Sequence, residues 1–339
     1  MTLLEPWVMM RLMAGLVATL LFAYGAFVGA RILKYAHLGA ATEGQLSLER
    51  QFELAATLVR FAAMVQLLSL LLSVLAADRL SGSIRGAMCG YGVVAQNRWG
   101  WVSIGVTLVV SLVSAILLQL LLLDRNVRGL DLLRPLAFFC IALAPAAAFD
   151  LGLALGWLTR LDLTVVASCC STTLDAARRE GNEYWQGPRL LATWSAVVGV
   201  ALAIVAALLA RRRPGRALVG VAGAVSLALV PVAIVAVVLE VAPHVYEVPQ
   251  HLCPFCLFKE DAYFIGYPLF AAIFLAATWG LGAGAAAFVS TGEHARNAFP
   301  AFARSRMVRQ AVAWTVALAL GAGPVALHAV HSPGASLFR

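Results

Sequence analysis

Arg211-Arg212-Arg213-Pro214-Gly215-Arg216 stands between two apolar runs, 190–210 and 217–239, and its reading decides the fold. Each run has the length of about 20 residues that a helix needs to cross a bilayer. Proline cannot continue the first helix, and glycine permits the sharp reversal into the second. Four arginines in six residues mark the cytoplasmic side, where basic residues accumulate. The stretch therefore predicts two antiparallel spans joined by a tight cytoplasmic turn.

Outward from that turn the same pattern repeats. Apolar runs of spanning length occur at about 7–32, 61–77, 101–123, 136–158, 190–210, 217–239, 264–289 and 311–330. The second run is short and extends back through Arg60 toward Leu54. The chain is 62% hydrophobic and 12% charged, against about 25% charged residues in globular domains. The expected fold is an all-α polytopic membrane protein of eight transmembrane helices. Residues 1–339 form a single integral membrane domain with no separate soluble domain. The N-terminus lacks a basic segment before its apolar run, so that run is read as a retained span.

The formal charge of +8 is a topology signal rather than a nucleic-acid footprint. Alternation from the basic turn puts 33–60, 124–135 and 290–310 on the cytoplasmic side. With the turn itself, and with Arg31 at the end of the first span, these hold 15 of the 25 Lys and Arg residues. The segment 33–60 is polar, with helix-forming patches, and is expected to lie along the cytoplasmic surface. Both termini come out extracytoplasmic, in what is expected to be a bacterial inner (plasma) membrane.

That orientation sorts the cysteines. Cys89 falls in loop 78–100, Cys169 and Cys170 in loop 159–189, and Cys253 and Cys256 in loop 240–263. Five of the six therefore share the outer face. Cys140 lies inside the fourth span, as a small buried apolar residue. In the third of these loops, His251-Leu252-Cys253-Pro254-Phe255-Cys256 holds a Cys-x-x-Cys pair beside a histidine. Pro254 suits the first turn of a helix, which makes Cys253 the N-cap. Both sulfurs then lie near unpaired N–H groups and the positive end of the helix dipole, which lowers a thiol pKa.

The second outer loop reads Ser168-Cys169-Cys170-Ser171, followed by Thr172 and Asp175 at capping-box spacing. That spacing predicts a short amphipathic helix between spans four and five. A disulfide between adjacent cysteines is strained, so Cys169 and Cys170 are available to another partner. Cys89 is flanked by Met88 and Gly90, and glycine permits close approach to its sulfur. Met9, Met10 and Met13 at the outer end of span one are soft thioethers that also serve as gap-filling apolar residues. Asp150, within span four, is a functional candidate or the partner of a neighbouring span or of water.

Three readings of function follow. The first is handling of a soft metal: binding, transfer or transport of Cu(I), or of zinc, by Cys89, Cys169, Cys170, His251, Cys253 and Cys256. Its partners would be the lipid bilayer and an extracytoplasmic metallochaperone or thiol protein, with no nucleic acid. The second is a thiol–disulfide oxidoreductase working through Cys253 and Cys256. In that tetrapeptide and its setting the chain is similar to membrane thiol oxidases of the DsbB and vitamin K epoxide reductase families. The similarity implies a quinone cofactor under this reading alone. Those families have about half as many spans, so membership does not follow from it. The third is a transporter or scaffold whose outer loops are stapled by disulfides, against which the odd count of five outer cysteines argues. His251 beside the pair, and the poorly pairing Cys169 and Cys170, place the metal first. The loops carry no nucleotide-binding or H-E-x-x-H motif.

Overall fold

The computed structural model describes residues 2–35, 43–127, 131–162, 183–249, 251–331 and 337. Among them no strand occurs, and eight helices are long and apolar enough to span a membrane. In chain order the helices are α1 (Pro6–Tyr35), α2 (Glu43–Ser81), the short α3 (Gly90–Ala95), α4 (Arg98–Asp124) and α5 (Leu133–Thr159). Then come α6 (Glu183–Arg212), α7 (Arg216–Ala236), the short α8 (Ala242–Tyr246), α9 (Gly266–Val289) and α10 (Glu293–His331). A π-helical turn, Val237–Val241, joins α7 to α8.

The basic turn folds as its sequence requires. α6 ends at Arg212, and Gly215 is the N-cap of α7, with its amide bonded back to the Arg213 carbonyl. Asn97 caps α4 by accepting from the Trp99 amide at 3.1 Å.

Two helices run well beyond the apolar runs read for them. α2 and α10 have 39 residues each, about 58 Å at 1.5 Å per residue, against a hydrocarbon thickness of about 30 Å. A third or more of each therefore extends beyond the apolar layer. From Glu43 to Arg60 no proline interrupts the helix, and Arg31 reaches across to Gln51 at 2.7 Å. The 33–60 stretch is thus largely a continuation of α2 rather than a separate surface segment. In 293–310, Ala295, Phe299, Ala303 and Met307 are buried at a helical spacing of four, which its arginines mask in a hydropathy reading. The short amphipathic helix expected between spans four and five falls within 163–182, outside the described residues.

The chain divides into two compact units. Met1–Leu80, Val94–Asp162 and Ala285–Phe302 form the first. Its interior holds a charged network. Arg11 pairs with Asp150 at 2.9 Å, their side chains 1% and 0% exposed. Arg11 also donates to Ser73 and Thr107, while Gln66 and Thr107 donate to Asp150. Asp150 is thus the partner of a neighbouring span.

Ser81–Val93, Leu163–Gly284 and Ala303–Arg339 form the second unit. Here α7 and α9 meet through glycines. A Cβ on Gly223 would stand 2.6 Å from the Gly280 carbonyl, and Gly280 with Gly284 makes a small-xxx-small face. Polar side chains join α7 to α9 and to α10. Trp314 donates to Ser226 at 2.9 Å, Ser226 to the Ala276 carbonyl, and Gln310 to the Ala222 carbonyl. Without water in the bilayer core, such groups find partners on neighbouring helices.

Candidate metal centre

Three cysteines of the second unit converge. Cys89 lies just before α3, and Cys253 and Cys256 flank a 3-10 turn, Pro254–Phe258, 164 residues further along from Cys89. Their sulfurs all lie within 4.8 Å of one another, and those of Cys89 and Cys253 are 3.4 Å apart. None of the three is in a disulfide. Cys89 and Cys253 are each 1% exposed, whereas Cys256 is partly exposed.

The turn follows part of the sequence reading and corrects another. Cys253 is the N-cap and Pro254 the first helical residue, as the motif predicts. The helix is a five-residue 3-10 turn, however, and the long α9 starts only at Gly266. Between them the backbone turns left-handed at Tyr263 and Phe264, with φ of 52° and 54°. The sulfurs thus lack the dipole of a long helix. Hydrogen bonds with Cys253 and Cys89, with burial behind them, push the Cys256 thiol well above its ordinary range.

Neighbouring groups fix the turn. The Tyr246 hydroxyl, at the end of α8, donates to the Cys256 carbonyl at 2.8 Å, and the Lys259 amide donates to the same oxygen. Gly266 packs so closely that a Cβ there would stand 2.9 Å from the Leu257 carbonyl carbon and oxygen. Leu257 is fully buried in an apolar cluster with Val241, Leu269 and Trp314. Val241, Leu269 and Trp314 also line a cavity of about 390 Å³, together with Thr193 and Glu240.

His251 stacks on the Tyr246 ring with centroids 4.0 Å apart. Its Nε2 is buried without a hydrogen-bond partner. Burial pushes its pKa down, opposed by the nearby Cys89, so the ring is held neutral. It is not in the set of donors within 4.8 Å. Cys169 and Cys170 lie outside the described residues. Cys140 is buried within α5, as expected. Met9, Met10 and Met13 stand about half exposed on the surface of α1.

Sequence reasoning overlooked Arg11 and Glu240. Glu240, in the π-helical turn, accepts from Arg189 at 2.7 Å and Thr193 at 3.1 Å, and its carbonyl meets His244 Nδ1 at 2.7 Å. Each is a single charge within or at the end of an apolar run, which is the signal that finds them. Comparison with protein-family models, with curated proteins and with solved structures gave no match.

Proposed function

We propose that this chain is an integral membrane protein that binds Cu(I) through Cys89, Cys253 and Cys256, as one step in the transfer or transport of the metal. The observation that carries the reading is the meeting of three sulfurs from distant segments, two of them buried. Trigonal coordination with bonds of about 2.3 Å sets sulfurs about 4 Å apart, close to the spacing found. Soft thiolates select Cu(I), and the donor set among the described residues is three of them. Metal binding displaces the thiol protons.

The basic turn at Arg211–Arg216 and the arginines of α10 support a cytoplasmic assignment for that side, which sets the three thiols on the extracytoplasmic face of a bacterial plasma membrane. A metallochaperone or thiol protein is the partner such a face would meet. Cys169 and Cys170 on the same side are proposed as further donors, and His251 as a neutral neighbour able to complete the coordination.

A second reading, disulfide exchange through Cys253 and Cys256, draws on the partial exposure of Cys256. Its raised thiol makes it a weak nucleophile, and the burial of Cys253 closes the second sulfur to a protein partner.

The variants Cys89→Ala, Cys253→Ala, Cys256→Ala, Cys256→Asp and His251→Ala test the choice. Bound copper is measured after anaerobic purification. The metal reading expects Cys256→Asp to keep part of the copper and Cys256→Ala to lose most of it. If no variant differs from a copper-free parent, the oxidoreductase reading replaces it.

A further inference from the structure

Arg211 and Arg212 in the last turn of α6, Arg304 on α10 and Leu208 line a cavity of about 400 Å³ in the second unit. All three arginines are exposed, no acid lines the cavity, and none of the three has an acidic partner among the described residues. Three like charges around one concavity repel one another, and solvent alone weakens that repulsion. The negative C-terminal end of α6 accounts for Arg211 and Arg212 in its last turn. It does not account for Arg304, which stands well inside α10 and yet faces the same cavity.

The position adds a second constraint. Arg211 is the first charged residue after the apolar run 190–210, so the cavity sits where hydrocarbon gives way to headgroups. Leu208 forms part of its wall, and Leu208 and Leu209 are 42% and 49% exposed beside it. The site therefore offers guanidinium groups for a phosphate and an apolar strip for a chain attached to it. Guanidinium presents paired N–H donors that match phosphate oxygens. With no acid in the lining, nothing there would hold the cationic end of a zwitterionic headgroup.

We propose that this cavity binds the phosphate of an anionic phospholipid, with its acyl chain along Leu208 and Leu209. Free phosphate shares the headgroup chemistry but has no use for the apolar strip, and the test separates the two.

The full chain, purified in a neutral detergent, is titrated with phosphatidylglycerol, with phosphatidylcholine and with inorganic phosphate. Native mass spectrometry reads retained lipid and thermal unfolding reads stabilisation. Phosphatidylglycerol should stay bound and raise the melting temperature, while the other two should do neither. Arg304→Gln should weaken phosphatidylglycerol binding about fivefold, and Arg211→Gln/Arg212→Gln/Arg304→Gln about a hundredfold. Arg125→Gln/Arg296→Gln/Arg309→Gln removes the same charge elsewhere and should bind as the parent does. Equal losses in the two triple variants, equal binding of both lipids, or stabilisation by phosphate alone would each overturn the proposal. Should the first triple variant fail to fold, the single Arg304→Gln variant carries the same decision.

Discussion

Replacing Asp150 by asparagine removes the carboxylate that pairs with Arg11 in the interior of the first unit. The two side chains are 0% and 1% exposed, so the guanidinium cannot turn to solvent when its partner is neutral. Asparagine keeps the shape and can still accept one hydrogen bond, but it carries no charge. Breaking a buried ion pair on one side costs about 3–5 kcal/mol, because the remaining charge stays buried and uncompensated. Arg11 already has one buried nitrogen, Nη1, with no acceptor, so no spare group is at hand to take over. The full loss is therefore expected. The double variant Arg11→Met/Asp150→Leu removes both charges and fills similar volume, and such replacements are often neutral or stabilising. Its stability should return to within about 1–2 kcal/mol of the parent, which is a strong coupling between the two sites. Denaturant unfolding in detergent micelles, followed by helical circular dichroism, measures all the variants. An Asp150→Asn cost below about 1 kcal/mol, with additive losses in the double variant, would refute the claim that this pair holds spans one and four together.

Three further outcomes follow from the geometry of the second unit. Gly266→Ala should push the Leu257 backbone away, costing about 1–3 kcal/mol by overpacking and lowering metal affinity through the adjacent Cys256; unfolding and copper titration measure the two effects. Tyr246→Phe should cost about 0.5–1.5 kcal/mol through its lost bond to the Cys256 carbonyl, read by the same unfolding assay. For topology, a reporter active only outside the cytoplasm should be silent when fused after Arg216 and active when fused after Glu247; the reverse pattern would invert the orientation.

The spans were legible because each is set by a local property, an apolar run of sufficient length. Runs read at 101–123 and 136–158 are found as α4 at Arg98–Asp124 and α5 at Leu133–Thr159. α2 reaches back to Glu43, beyond the Leu54 read for it, and α10 back to Glu293, because hydropathy sees only the lipid-facing part of a helix. The four-residue spacing of Ala295, Phe299, Ala303 and Met307 carries the information instead. At the candidate site, the Cys253–Cys256 pair was visible as a motif. That Cys89 joins it depends on a contact across 164 residues, which no local pattern encodes. At Cys256 the expectation of a low thiol pKa failed because it took an N-cap position as proof of a long helix. Proline at the first position fits a five-residue 3-10 turn equally well. Arg11 and Asp150 are each visible in sequence as charges in apolar runs, but their pairing is a tertiary fact.

The measurement that tests the central claim most directly is X-ray absorption at the copper edge on anaerobically purified protein loaded with one equivalent of Cu(I). A three-thiolate site predicts a Cu(I) edge with about three sulfur scatterers at about 2.3 Å, all lost in the Cys89→Ala/Cys253→Ala variant. Copper bound through nitrogen or oxygen alone, or a spectrum unchanged in that variant, would contradict the account.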